Sequence, residues 1–257
     1  MNKIDDYIAV FDSGVGGISV LRQLRQVMPR ERYLYFGDSA NAPYGSKTTE
    51  QVRQLSLAAA DRLLSRGIKA LVVACNTATS AAITQLRETY PDLIVIGIEP
   101  ALKLAADRFP GARIGVMATQ VTLREEKFAR LMERFSDTNR IYAIPAPGMV
   151  ELIEAGKADS EEMFALTAKL LGPYRDKLDA LVLGCTHYPF AQRAIARALG
   201  ENTVLLHGGA GTALQTRRRL DAAGLLRSGV GELVFENSAE DPRILELCRH
   251  LEEMEEL

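Results

Sequence analysis

Nine short apolar runs recur along the chain, at residues 7–11, 33–37, 70–74, 93–98, 114–118, 141–145, 180–184, 203–207 and 233–237. They are rich in valine, isoleucine and leucine with few charges inside them, the pattern of strands buried on both faces. Between most of them lie segments with the 3.6-residue apolar spacing of helices, including 17–28, 49–66, 121–135 and 161–174. Strands alternating with helices predict parallel sheets covered by helices on both sides. In such sheets ligands bind beyond the carboxyl ends of the strands.

The two halves echo each other. "IAVF" at 8 matches "IGVM" at 114, "YFGD" at 35 roughly matches "YAIP" at 142, and "ALVVAC" at 70 matches "ALVLGC" at 180, at offsets of 106, 107 and 110. Three strand ends in near-constant register predict two similar α/β units with their strand ends meeting across one cleft. The third match ends both times in a cysteine followed by two polar residues, "CNT" at 75 and "CTH" at 185. Such a cleft carries a thiol on each wall.

The composition narrows the class. The chain has 257 residues, 47% apolar and 25% charged, with a net charge of −2 and no tryptophan. That is ordinary for a globular protein of one large or two smaller α/β domains. No basic stripe points to nucleic acid. No apolar stretch approaches the roughly 20 residues of a membrane span. The start, "MNKIDDYIAVF", carries acids where a signal peptide needs an apolar segment, so the expected compartment is the cytoplasm. Three cysteines, at 75, 185 and 248, make no disulfide framework and are expected as free thiols. The end, "LEEMEEL", reads as a solvated acidic last helix turn.

"FDSGVGG" (11–17) follows the first strand and opens a helix. Gly14, Gly16 and Ser19, with Asp38 after the second strand, nearly match a dinucleotide fingerprint. Ser19 stands in the third glycine position, and the Asp12 charge would oppose a pyrophosphate. The favoured reading is a turn bringing backbone close to a small ligand, with Asp12 as a working carboxylate or helix cap. A helix starting at Asn76 or Thr77 would direct amides at Cys75 and favour its thiolate. Asn76, Thr77, Thr79 and Ser80 are costly to bury unpaired but suited to gripping a carboxylate or ammonium. Cys185 with His187 reads as a Cys–His pair, or more weakly as part of a metal site. Pro189 suits the first turn of the next helix. "GDSANAPYG" (37–45) reads as a turn, or as a rim loop offering amides and the Tyr44 hydroxyl. Glu151 and Glu154 read as surface acids, one of which could face the cleft. Cys248 reads as core and His250 as surface.

Two thiols on opposing walls suit inversion of a carbon centre, in which a base removes a proton from one face and an acid returns one to the other. Asp12 could tune Cys75, and His187 could tune Cys185. The substrate would carry its hydrogen beside a carboxylate.

"FDSGVGG", "GDSANAPYG", "ACNTATS" and "GCTHYP", in this order and spacing, resemble the glutamate racemases of the aspartate/glutamate racemase superfamily, and the likeness runs from Ile8 to the last helix. The resemblance implies an α/β fold of two facing Rossmann-like parallel-sheet domains related by pseudo-symmetry. It places residues 1–97 plus 207–257 in the first, 98–206 in the second, and the active site in the cleft between them. It implies Cys75 as the residue acting on the D-enantiomer and Cys185 on the L-enantiomer, with Asp12 and His187 as their helpers and Glu154 as a further acid. It assigns substrate binding to Asp12, Ser13, Tyr44, Gly45, Asn76, Thr77, Thr186 and His187. No cofactor and no metal are expected. Glutamate is the expected partner, with no nucleic acid or membrane, and a homodimer is allowed. The product would feed bacterial peptidoglycan synthesis and so cell shape. His207 departs from the acid that relatives often carry, which puts local contacts near the domain junction in question. An N-terminal extension linked in some relatives to activation by a cell-wall precursor is not seen, so no such activation is expected. Three rivals remain: an aspartate racemase, a regulatory protein binding DNA gyrase, and an NAD-dependent oxidoreductase using the near-fingerprint.

Overall fold

A computed structural model describes residues 3–98, 101–124 and 126–254. The chain divides into two compact units, one holding the described residues up to 98 and those from Gly209 onward, the other residues from 101 to Gly208.

The first unit begins with β1 (Tyr7–Asp12), α1 (Ile18–Val27), β2 (Arg32–Gly37), α2 (Thr49–Leu64), β3 (Ile68–Val73), α3 (Asn76–Thr89) and β4 (Ile94–Gly97). The second contains α4 (Leu102–Arg108), β5 (Arg113–Ala118), α5 (Gln120–Arg124), α6 (Glu126–Ser136), β6 (Arg140–Pro145), α7 (Met149–Glu154), α8 (Glu161–Leu171), β7 (Ala180–Leu183), α9 (Gln192–Leu199) and β8 (Val204–His207). The chain then returns to the first unit with α10 (Gly209–Ala222), β9 (Glu232–Asn237) and α11 (Pro242–Glu253). Of the acidic end, Leu251–Glu253 close α11, and residues 255–257 lie outside the described residues.

The strand orders are β4-β3-β1-β2-β9 and β6-β5-β7-β8, and every pairing is parallel. The nine apolar runs therefore all become strands. The first sheet is buried on both sides. Ala9, Phe11, Leu34, Phe36, Leu71 and Val73 pack with α2 and α3. The alternate residues turn to α1, where the Tyr33 hydroxyl donates to the carbonyls of Leu24 and Met28. In the second sheet Ile114, Val116, Ala180, Val182 and Leu206 pack with α4. The segment 121–135, read as one helix, is described as α5 and α6. The helix read at 161–174 ends at Leu171, and Pro173 leads a 3-10 turn instead.

The strand registers establish the repeat. Ile8 pairs with Tyr33 and Ala70, as Ile114 pairs with Ile141 and Ala180. Ala70 pairs with Ile94, as Ala180 pairs with Val204. The offset between β2 and β6 is therefore 108 (Tyr33 to Ile141), not the 107 suggested by the two tyrosines. A one-residue slip moves every side chain to the other face. Tyr35 donates to the Gly14 carbonyl, while Tyr142 packs edge-on against Tyr174, so the two do not correspond.

One buried charge in β3 escapes the apolar pattern. Lys69 is wholly buried, with Nζ 2.6 Å from Glu31 Oε2. It also donates to the carbonyls of Ile4 (2.7 Å) and Leu225 (2.9 Å). The backbone N–H of Arg227 donates to Glu31 Oε1. Removing one partner of a buried pair leaves the other charge uncompensated. Lys69→Met is expected to cost about 3–5 kcal/mol of stability. Lys69→Met with Glu31→Gln, which removes the orphaned charge and keeps an acceptor for Arg227, is expected to recover much of it. Urea midpoints check this, and a single variant as stable as the parent would contradict it.

Candidate active site

In each sheet the chain runs from its first strand to a neighbour on one side, then crosses to the other side. The switch points fall between β1 and β3 and between β5 and β7. Adjacent strand ends there send their connections to opposite faces and leave a crevice. Cys75 follows β3 in the first unit, and Cys185 follows β7 in the second.

In the first unit Cys75 caps α3. Its Sγ accepts from the Ala78 N–H at 3.4 Å and lies 3.5 Å from Ser13 Oγ. The helix therefore begins at Asn76, and its amino-terminal amides and positive dipole end approach the sulfur. Asp12, fully buried at the end of β1, accepts from the Gly14 N–H at 3.0 Å. A Cβ on Gly17 would stand 2.6 Å from that of Asp12, so a side chain there would displace the carboxylate. Asn76 and Thr77 are buried beside the thiol, and Asn76 Oδ1 has no protein donor. Thr79 turns its hydroxyl back to the Val73 carbonyl.

The loop after β2 folds inward. Tyr44 and Gly45 lie in a 3-10 turn, and the Tyr44 hydroxyl donates to Asp38 Oδ2 at 2.6 Å. Burial, then the Asp38 hydrogen bond and charge, push the phenol well above its ordinary pKa. Its proton is thus committed to Asp38, and the hydroxyl is not a free donor as the loop sequence suggested. Asn41 also donates to Asp38. Ser19 turns its hydroxyl to the Gly16 carbonyl. The acid and the third position of the near-fingerprint are therefore both occupied by internal bonds.

In the second unit, a Cβ on Gly184 would be 3.0 Å from both Ala118 Cβ and the Met117 carbonyl, so glycine lets the Cys185 segment lie close on β5. Cys185, Thr186 and His187 are buried. A 3-10 turn at Tyr188–Ala191 with Pro189 in its first turn leads into α9. His187 Nδ1 lies 3.6 Å from Cys185 Sγ, and Nε2 lies 2.6 Å from Glu154 Oε1. Burial would lower the His187 pKa. Hydrogen bonds to Cys185 and Glu154, with their charges, outweigh it and hold the imidazole well above 6.5. Of the two acids read as surface residues, one of which could turn inward, Glu151 is exposed and Glu154 ends α7 against the histidine. The resemblance gave Glu154 only as a further acid, and nothing signalled the pairing itself, because the partners are 33 residues apart with no local spacing to join them.

Cys248 is buried in α11, and His250 is exposed. His207 ends β8 in register with Leu183, and burial lowers its pKa. Among the described residues no cluster of three or more His, Cys, Asp or Glu side chains is arranged to hold a metal. No described helix is long and apolar enough to cross a membrane.

These features define an α/β protein of two Rossmann-like parallel-sheet units, each with a thiol at the carboxyl edge of its sheet. A model of the Asp/Glu/hydantoin racemase family matches residues 18–213. Glutamate racemase from Clostridium perfringens is 45% identical over 250 residues, 96% of each chain. The crystal structure of glutamate racemase from Thermus thermophilus with beta-chloro-D-alanine aligns with a TM-score of 0.84 at 37% identity, covering 97% of this chain and 94% of that one. That of Francisella tularensis glutamate racemase with D-glutamate aligns with a TM-score of 0.85 at 25% identity, covering 99% and 96%. The chain belongs to the Asp/Glu/hydantoin racemase family.

The His187–Glu154 pair makes stability depend on pH. A histidine whose pKa is raised on folding adds stability that is complete below its unfolded value, near 6.5, and is lost as pH rises through the folded value. Glu154→Gln removes one cause of the rise. It is expected to cost about 1.5–3 kcal/mol near pH 6 and less near pH 9, by urea denaturation at both. Equal losses at the two pH values would exclude a charged pair.

Proposed function

We propose that this chain interconverts L- and D-glutamate, without cofactor, by proton transfer through Cys75 and Cys185. The observation that carries the reading is the placement of each thiol at its own sheet's switch point, with the Ser13 hydroxyl beside Cys75 and the His187 imidazole beside Cys185. The relatives' names supply the substrate.

The reaction is balanced by two proton movements. Cys185 as thiolate takes the Cα proton of L-glutamate, leaving a planar carbanion conjugated with the carboxylate. Cys75 as thiol returns a proton to the opposite face, giving D-glutamate. The reverse reaction exchanges the roles. The reading requires the two units to present their thiols to opposite faces of Cα, with the substrate in the cleft between domains 1–97 plus 207–257 and 98–206. Asp12 serves Cys75, and His187, held by Glu154, serves Cys185. Each restores its thiol after turnover. Ser13, Asn76, Thr77 and Thr186, with the backbone of Tyr44 and Gly45, grip the two carboxylates and the ammonium. The unpartnered Asn76 Oδ1 suits an ammonium donor. D-glutamate made in the cytoplasm would supply peptidoglycan synthesis.

In heavy water, the first D-glutamate formed from L-glutamate is expected to carry deuterium at Cα, while remaining L-glutamate keeps its hydrogen. Transfer of the original hydrogen into early product, seen by mass spectrometry, would exclude a two-thiol route. Faster turnover of aspartate in the same assay would move the substrate assignment.

The helpers are separable by isotope effects. The enantiomers are equally stable in water, so kcat/KM must fall by one factor in both directions in any variant. His187→Gln is expected to lower it on the order of 10²–10⁴-fold. It also makes the Cys185 transfer limiting, so the Cα-deuterium effect grows for L-glutamate and shrinks for D-glutamate. Asp12→Asn should give the opposite pattern. Identical patterns would overturn the assignment of one helper to each thiol.

A further inference from the structure

We infer that Tyr188 is a positioning residue that holds Glu154 against His187, through the entry to α7. The inference rests on the racemase reading for its kinetic consequences but not for its geometry. Tyr188 is wholly buried, and its hydroxyl donates to the Ala146 carbonyl at 3.4 Å. Its own backbone N–H donates to the Cys185 carbonyl at 3.2 Å, so the phenol and the thiol belong to one tight turn. Burial, then the charges of Cys185 and Glu151, push the phenol well above its ordinary pKa, so it remains a donor.

Ala146 links the end of β5 to the start of α7. Its N–H donates to the Ala118 carbonyl, anchoring it to the end of β5. The chain then turns through Gly148, at φ +87°, into the six residues of α7. A helix this short has almost no stability of its own. Its position is set by buried Met149 and Ile153, by the Tyr188 bond at its entry and by the His187 bond at its exit. Both bonds come from adjacent residues of the cysteine-bearing turn. Tyr188 and His187 thus grip α7 at its two ends. Releasing the entry lets the helix shift and lengthens the Glu154–His187 contact.

Tyr188→Phe keeps the ring and removes the donor. The His187 imidazole, titrated by NMR without substrate, is expected to fall in pKa in Tyr188→Phe, in the direction of Glu154→Gln. Gly148→Ala, which strains the same entry without touching Tyr188, should shift it the same way and serves if Tyr188→Phe folds poorly. In turnover, Tyr188→Phe should lose roughly tenfold in kcat/KM and move the alkaline limb of its pH profile downward. It should cause almost no further loss when added to Glu154→Gln, because coupled residues are non-additive. An unchanged His187 titration, or losses that simply multiply, would overturn the inference. A wild-type protein that racemises nothing while the titration shifts as described would instead overturn the racemase reading and leave the positioning role intact.

Discussion

Parallel pairing is the constraint on which both units rest. A parallel strand cannot follow its neighbour through a tight turn, so each pairing requires a crossover. The crossovers cover both faces, and all carboxyl ends collect on one edge. Reversal of the strand order between β1 and β3, and again between β5 and β7, opens that edge at one place per sheet. The cysteines, their polar neighbours and the glycines that permit close approach all gather there. Gly17 against Asp12 and Gly184 against Ala118 are the same requirement met twice, as backbone must lie against a strand end without a Cβ in the way.

The repeat makes the differences between the units informative. By the strand registers, Asp12 corresponds to Ala118, Ser13 to Thr119 and Cys75 to Cys185. The first unit puts its acid on the strand beside the thiol and starts a 14-residue helix at Asn76. The second has alanine at the acid's place and only a 3-10 turn after the cysteine. Its charge comes instead through His187 from α7. One sulfur accepts a backbone amide at a helix start and lies beside the Ser13 hydroxyl, while the other lies beside an imidazole linked to a distant carboxylate. The thiols are equivalent in position and different in electrostatics, because a short turn supplies too few aligned amides to substitute for a helix end.

Much of the fold was legible because a strand buried on both faces leaves an uninterrupted apolar run. Nine such runs became nine strands among the described residues. The start of α3 was legible because "CNT" closes a strand and opens a helix. The Lys69–Glu31 pair was not, since a lysine inside "IKALVV" looks like a polar break and its partner is 38 positions away. The Tyr44 bond was illegible for a related reason: the loop sequence shows a hydroxyl but not that it donates to Asp38. The 107-residue offset failed because two tyrosines looked alike, whereas pairing geometry decides which face each occupies. Local pattern reports burial and periodicity. It does not report which distant group satisfies a buried polar atom.

The path of the chain through the two sheets also sets an order of completion during synthesis. All four strands of the second sheet lie between Arg113 and His207, in one uninterrupted stretch. The first sheet has four of its strands by Gly97 but must wait for β9, residues Glu232–Asn237, to cover the outer edge of β2. Lys69 meanwhile lacks the Leu225 carbonyl, and Glu31 lacks the Arg227 amide. The amino-terminal unit therefore leaves the ribosome first and closes last. Until then, the backbone groups along one side of β2 stand unpaired, and this is the stretch where a nascent chain is most open to wrong pairing with another strand.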